Sequence, residues 1–336
     1  MQIDFITVLV TVLALVALAI PGFILAKTKM VGEGASSTIS TIVLYVCQPA
    51  LVFMGFQGKQ YSPDIAINML IVAGLTFVFH FAMTGIVFLF VRNKNNDAKI
   101  NALRFASIFS NCGFMGMPMI ISLFSGNVLG VFQPEAIMYS AVVIAVFNIL
   151  SWTLGVYIIT KDRKYISIKK ILLNPTIIAV ILGFAVFMIA QVPLVDLANN
   201  SPTLDQVITK LMDSINLIGN AVTPLSMFVI GIKLANVKVK QLLLNKSAYV
   251  SSLLKLVVMS LVVMLIVAFL PISPIIKYTV FFLMSMPSAT STTLFAVKFK
   301  GDAENGAVMV LLSSILCVAT IPLMFLIFSG LFGVTI

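Results

Sequence analysis

Two long apolar stretches of this chain are interrupted by residues that do not suit a helix. The first interruption is SNCGFMGMP, residues 110–118, in a stretch with no charged residue between Arg104 and Glu135. The second is MPSATSTT, residues 286–293, in another charge-free stretch. Glycine and proline break helices, and lipid cannot satisfy the backbone groups they free. Such breaks at corresponding positions of two halves indicate a secondary transporter, in which half-helix ends meet near the bilayer midplane.

The composition excludes a soluble domain. Hydrophobic residues make up 60% of the chain and charged residues 10%, and the mean hydropathy is +1.14. A hydrocarbon core ~30 Å thick needs ~20 apolar residues per helix, and charge-free stretches of that length predict ten transmembrane helices in an all-α integral membrane protein. The predicted spans are residues 5–26, 35–56, 65–91, 105–126, 136–160, 174–194, 214–234, 247–270, 274–297 and 305–330.

The basic residues predict the orientation. Seventeen of the 21 Lys and Arg residues fall in loops after odd-numbered spans, whereas only Lys59, Lys210 and Lys277 fall in the others. Cytoplasmic loops retain Lys and Arg, so both termini are expected outside, in a bacterial plasma membrane. The net charge of +10 then reflects topology and contact with anionic lipid rather than a nucleic-acid partner. The first span lacks a basic n-region and a small-residue cleavage pattern, so we expect it to remain in the mature protein.

The two halves are predicted to be inverted repeats. Each half holds five spans, and an odd number forces the second half into the membrane in the opposite sense. Pro49 and Pro224 are 175 residues apart, and Pro118 and Pro287 are 169 apart. The expected division is residues 1–160, a cytoplasmic linker at 161–173, and residues 174–336.

Four segments carry a family resemblance: SNCGFMGMP, NPTIIAVILGF at residues 174–184, GNAVTPLSMFVIG at residues 219–231, and MPSATSTTLFAVKFKGD at residues 286–302. They resemble the membrane region of the auxin efflux carrier family, which includes bacterial malate and malonate permeases and plant auxin exporters. The long central loop of the plant exporters is missing. The resemblance implies ten helices as inverted repeats with two crossing broken helices, similar to bile-acid symporters and sodium/proton antiporters, and a homodimer. Spans 1, 2, 6 and 7 would form a scaffold, and spans 3–5 and 8–10 a core.

Both breaks are candidate substrate-binding sites. Gly113, Gly116 and Pro118 free backbone groups at the first break, and Pro118 and Pro287 are expected to begin the second half-helices of their spans. Helix N-termini present unpaired N–H groups and a partial positive charge, which suits an anion without any Lys or Arg. Hydroxyl and amide groups at the breaks would add hydrogen bonds: Asn111, Ser288, Ser291 and Thr292. The resemblance also matches Asn111 to the asparagine at the substrate site of the family. The alternative is that these residues only pack and kink the helices.

Spans two and seven carry prolines near the expected crossing. Pro49 and Pro224 are interpreted as structural kinks. Gln48, next to Pro49, is either a substrate ligand or a partner for a neighbouring helix.

Three titratable residues are candidates for ion coupling or charge pairing. Lys255 either extends to the headgroups or is a charge partner for an anionic substrate or a gate carboxylate. Asp213 lies at the interface or, if buried, is the leading proton carrier. His80 either titrates near neutral pH or is a hydrogen-bonded structural residue.

Several classes of activity lack their residues. Neither break contains a carboxylate, which argues against a sodium/proton exchanger. No Walker A motif and no protease nucleophile motif occurs, so an enzyme is not expected. Cys47, Cys112 and Cys317 form neither a disulfide framework nor a metal-ligand pattern, and neither metal nor cofactor is predicted.

The sequence therefore predicts a secondary active transporter of a small organic anion, such as malate, malonate or an auxin-like acid, with H⁺ or Na⁺ as a candidate coupling ion. The alternatives are a membrane receptor that binds a ligand without moving it, and a channel.

Overall fold

The protein is all-helical in the residues that its computed structural model describes, which are 3–32, 34–93, 95–124, 133–198 and 202–332. The helices are α1 Phe5–Lys27, α2 Ala35–Gly55, α3 Pro63–Phe90, α4 Ala98–Ile108, α5 Cys112–Phe124, α6 Pro134–Thr160, α7 Pro175–Ala190, α8 Pro202–Asn236, α9 Lys246–Ala268, α10 Pro274–Ser285, α11 Ser291–Lys298 and α12 Ala303–Phe332. Two short loop helices lie at Ile168–Leu172 and Val239–Leu244.

Seven of these helices are long and apolar enough to cross a membrane: α1, α2, α3, α6, α8, α9 and α12. Helix α7 and the segment Arg163–Leu172, bent by 43°, together provide an eighth, and α5 and α10 are shorter apolar helices. The chain is therefore a multi-pass membrane protein, as predicted. Ten crossings in two inverted repeats remain a prediction. The termini, and the last two residues of the predicted span 105–126, lie outside the described residues.

Polar caps explain where several helices begin. Asp4 accepts a hydrogen bond from the Thr7 N–H at the start of α1 (2.8 Å), and this bond holds the pKa of the Asp4 carboxyl below its usual value. Asn174 caps α7 by accepting from Thr176 N–H at 2.9 Å, with Pro175 in the first helical position. Both arrangements follow ordinary N-terminal preferences, because each cap satisfies backbone donors that the first turn leaves free.

The two sequence breaks pair with each other. Extended backbone separates α4 from α5 and α10 from α11. Across the gap, the Asn111 N–H donates to the Pro287 carbonyl at 2.8 Å, and the Ala289 N–H donates to the Phe109 carbonyl at 2.9 Å. The broken segments thus satisfy some of each other's backbone groups in the protein interior, where no water is needed.

The start predicted at Pro287 is wrong, whereas the start predicted at Pro118 is within one residue of the regular α-helical part, Met117–Phe124, but misses the turn before it. Helix α5 begins at Cys112, six residues before Pro118, and α11 begins at Ser291, four residues after Pro287. A π-helical turn, Cys112–Gly116, precedes Pro118. Its wider hydrogen-bond spacing tolerates a residue without an N–H group, so proline need not mark the helix start.

The two kink prolines lie just after irregular backbone. A π-helical turn at Val43–Cys47 precedes Pro49 within α2, and α8 is interrupted at Ala221, three residues before Pro224. Each irregularity relieves the missing N–H and the ring clash that proline brings to a regular helix.

Close glycine contacts hold α1, α2 and α8 together. A Cβ added at Gly231 of α8 would lie 1.9 Å from the Ala19 carbonyl oxygen of α1, and one at Gly22 would lie 2.3 Å from the Phe228 carbonyl oxygen. At the α2 contact, a Cβ on Gly219 would approach the Leu51 backbone within 2.9 Å. Small residues at such crossings let helix backbones approach closely, as is typical of membrane helices.

The loops gather at two opposite ends. At the end that we call the basic end, the Tyr165 ring packs 5.6 Å from that of Phe299, and Asn245 bonds Asn305 at 2.6 Å. This end also holds the loops at residues 91–93, 95–97, 161–174, 237–245 and 299–302, which meet through Arg104 with Val91, Lys161 with Phe88, and Leu103 with Val237. At the opposite end, the Tyr61 N–H donates to the Gln191 carbonyl at 2.9 Å.

Candidate functional site: a cavity at the paired breaks

A cavity of about 500 Å³ reaches from the paired breaks towards the basic end. Residues of both breaks line its inner part, and Ser36, Asn174 and Lys298 line the part next to the basic-end loops. Its walls come from α2, α6, α7, α8 and α11. The lining includes two lysines, Lys233 and Lys298, and no Asp or Glu from the described ranges. The cavity is therefore a positively charged chamber of suitable size for a small solute.

Two helix N-termini face this cavity. Asn111 and Gly113 at the start of α5, and Thr290 and Ser291 at the start of α11, all belong to its lining. The first N–H groups of a helix have no partner within it, and they carry a partial positive charge. The cavity end at the breaks therefore offers hydrogen-bond donors and a favourable field to an anion.

Asn111 is the most telling residue of the site. Its side chain is only 3% exposed, yet its Nδ2 atom has no hydrogen-bond partner in the described part of the chain. Ser291 Oγ is also unpartnered there. Buried polar groups are normally paired because desolvation without a partner is costly. Both residues line the cavity, but the two donor atoms are themselves buried, so a ligand in the cavity reaches them only when the side chains turn.

Lys255 lies behind the breaks, at the other helix ends. Its side chain is fully buried, and its ammonium donates to Ser110 Oγ and to the Met284 carbonyl, the latter at 2.9 Å. Ser110 and Met284 lie beside the C-terminal ends of α4 and α10, where unpaired carbonyls give a partial negative charge. The positive charge of Lys255 offsets the partial negative charge of these two helix ends. The interpretation that Lys255 extends to the headgroups is wrong, because its ammonium remains in the interior.

Gln48 lies against the first break. It is buried and lines the cavity. A Cβ on Gly113 would lie 2.7 Å from Gln48 Nε2, so only glycine leaves room for that amide. Gly116 instead faces α10, where a Cβ would lie 2.7 Å from Leu283 Cδ2. It serves helix packing and does not line the cavity.

Four other predicted site residues are buried beside the cavity without lining it: Pro118, Pro287, Ser288 and Thr292. The Ser288 N–H donates to Ser313 Oγ at 3.1 Å. The hydroxyls of Ser288 and Thr292 have no partner within the described ranges. These two hydroxyls make the second break more polar, although they do not line the cavity.

The remaining titratable candidates lie away from the cavity. Asp213 has a side chain that is 65% exposed, 3.9 Å from the Lys210 ammonium. It is therefore not a buried acid. His80 is buried, with Nδ1 2.8 Å from the Thr76 carbonyl and its ring packed on Phe109. Its Nε2 has no partner in the described part of the chain.

At the opposite end of the molecule, α2 and the loop that follows it pack against the start of α6 along a contact that we call the seam. A Cβ on Gly58 would lie 2.9 Å from Pro134 Cβ, and one on Gly55 would lie 3.1 Å from an Ile137 methyl group. Lys59 and Glu135 form an ion pair across this seam. Among the described residues, those that line the cavity extend from the breaks to the basic end, and none of them belongs to this seam.

Sequence reasoning missed three residues of this region. Lys233 and Lys298 were assigned to loops, although both line the cavity, and Ser110 received no role. Their positions near the ends of apolar spans gave no signal, because only the packing of distant helices decides which way such side chains face. In the described ranges, no three His, Cys, Asp or Glu residues are grouped so as to hold a metal ion.

Two paired breaks, with helix N-termini that face a chamber, are typical of membrane proteins of the transporter class. A family model described as membrane transport protein matches residues 7–325. The chain therefore belongs to this family, whose members are auxin efflux carrier-like. An uncharacterized transporter of Methanothermobacter thermautotrophicus is 28% identical over 120 residues. That match covers 35% of this chain and 38% of the archaeal protein.

Proposed function

We propose that this protein is a secondary active transporter of a small organic anion, such as a mono- or dicarboxylate, which it moves by alternating access. One observation carries the proposal. Two helix N-termini and Asn111, whose buried amide has no partner in the described part of the chain, line a chamber without Asp or Glu among its described lining residues. A carboxylate would satisfy these donors, whereas a cation would find no ligand of opposite charge.

The helix arrangement supports ten crossings. The seven long helices, α7, and the broken pairs α4 with α5 and α10 with α11 together make ten segments. Under this proposal the pairing at Asn111 and Ala289 is the midplane crossing of two inverted repeats. Helices α1, α2, α7 and α8 would form the scaffold, and the others the moving core.

Alternating access requires that the seam open when the basic end closes. The seam joins α2 of the proposed scaffold to α6 of the proposed core, so motion of one against the other would separate Lys59 from Glu135. The present arrangement then corresponds to a state open to the basic end, which the distribution of Lys and Arg assigns to the cytoplasm.

The test is solute counterflow in proteoliposomes preloaded with malate, with labelled malate, malonate, lactate or indole-3-acetate outside. A carrier gives transient, saturable accumulation, whereas a channel gives flux that does not saturate, and a receptor binds without any counterflow. Imposed H⁺ or Na⁺ gradients would then identify a coupling ion.

The site is tested with Asn111→Ala, which should lower apparent affinity by about tenfold or more, because a charge-assisted hydrogen bond is lost. The matched control is Asn68→Ala: Asn68 bonds Tyr139 at 3.2 Å, away from the cavity. Equal melting midpoints of the two purified variants would separate binding from misfolding. Wild-type affinity in a folded Asn111→Ala variant would remove Asn111 from the site.

A further inference from the structure

The ammonium of Lys298 contacts an aromatic ring in the cavity wall. Its Nζ atom lies 4.6 Å from the centroid of the Trp152 ring. The same ring lies 4.8 Å from that of Phe295, and all three residues line the cavity. Cation–π contact with Trp orients an ammonium group without neutralising it.

Lys298 and residues of the second break line the same cavity. Trp152 contacts both Phe295 and the Lys298 ammonium, so the two residues share one ring as a neighbour. Ser291 and Phe295 are four residues apart in α11, which is ~6 Å along a helix at 1.5 Å per residue. Side chains of a helix lean towards its N-terminus, so Lys298 leans back towards the break. Phe295, which shares the Trp152 ring with the Lys298 ammonium, is thus one helical turn from Ser291 within the same chamber.

The charge of Lys298 has no counter-ion among the described residues. Lys59 and Lys210 each have a carboxylate partner, whereas neither Lys298 nor Lys233 has one there. A lysine at a helix end usually faces water or headgroups. Lys298 is likewise an exposed residue at a helix end, but the Trp152 ring holds its ammonium at the wall of the chamber.

We propose that Lys298, held on Trp152, binds a second anionic group of the solute while the first occupies the helix N-termini at Asn111 and Ser291. The carrier then selects dianions over monoanions of the same size. Lys233, on α8 across the chamber, adds to the positive field. This inference rests on the proposed transport of an organic anion and names the class of anion.

The experiment compares ligands that differ by one charge: malonate and succinate against their monomethyl esters, as competitors of counterflow. Wild-type protein should prefer each dianion by about tenfold, the effect of one charge-assisted contact. Lys298→Gln should abolish this preference by weakening the dianions about tenfold, with the esters changed less than twofold. Lys298→Arg should retain most of the preference. The matched control is Lys300→Gln, two residues on and outside the lining.

Two results would overturn the inference while transport stands. One is a Lys298→Gln variant that weakens dianion and ester equally or not at all. The other is a wild type that takes the esters as well as the dianions. Failure of the proposed function itself would look different: no acid would give counterflow, and neither dianion would raise the melting midpoint of purified wild-type protein.

Discussion

The substitution Gly231→Ala tests the helix packing on which the proposed scaffold depends. The new methyl group would lie 1.9 Å from the Ala19 carbonyl oxygen and 2.8 Å from the Phe23 nitrogen, both backbone atoms of α1. An ordinary contact needs at least 3.4 Å, so α1 and α8 must separate by about 1.5 Å at this point, the difference from 1.9 Å. No side-chain rotation can relieve this clash.

The expected cost follows from the size of that shift. A gap of ~0.5–1 Å already forfeits a quarter to a half of each van der Waals contact, and overpacking a tight site costs about 1–3 kcal/mol. We take the upper end, about 3 kcal/mol, because the clash is with backbone. Alanine regains about 1 kcal/mol of helix propensity over glycine. The net loss of stability is therefore about 2 kcal/mol.

The control is Gly74→Ala on α3. Nothing lies within 4 Å of a Cβ at Gly74, so the propensity gain stands alone and stability should rise by up to about 1 kcal/mol. Thermal unfolding in detergent, followed by size-exclusion chromatography, should place the Gly231→Ala midpoint several degrees below wild type and Gly74→Ala at or above it. A Gly231→Ala midpoint equal to that of Gly74→Ala would refute the close approach of α1 and α8.

Two further predictions concern charged groups. Lys255→Met removes the ammonium that joins the two breaks and should destabilise the protein by about 1.5–3 kcal/mol. The control is Lys246→Met, on an exposed side chain of the same helix, which should leave the melting midpoint within a degree or two of wild type. Equal midpoints of the two variants would contradict the role of Lys255. At the seam, Lys59→Glu should favour opening by about 1 kcal/mol, roughly fivefold, seen as faster thiol labelling of a cysteine introduced at Ile137. Adding Glu135→Lys should restore slow labelling. If the double variant is still labelled fast, the ion pair does not hold the seam together.

Most of the fold is predictable from the sequence because the bilayer imposes simple rules. Lipid requires about 20 apolar residues per crossing and internally satisfied backbone, so charge-free length alone located α1, α2, α3, α6 and α9. The same rule made the breaks at residues 110–118 and 286–293 conspicuous. Breaks without carboxylates then indicated an anion site at Asn111, which stays a prediction, although that residue does line the cavity.

The residues at which the helices begin after the breaks were less predictable. Pro118 was expected to start a helix, yet a π-helical turn carries the chain into α5 from Cys112. The start depends on backbone pairing with a segment more than 170 residues away, at Pro287. Local propensity contains no information on such a partner.

The amino-acid sequence by itself determined that this chain enters a membrane as helices, where those helices break and which loops carry the positive charge, because these follow from local apolarity and composition. Only the tertiary structure decided where the charges of Lys255 and Lys298 lie. Lys255 is bound by Ser110 and the Met284 carbonyl in the interior, and Lys298 is seated on Trp152 in the cavity wall. The direction of a long side chain near a helix end depends on which distant helix packs beside it, and that choice is made by the fold as a whole.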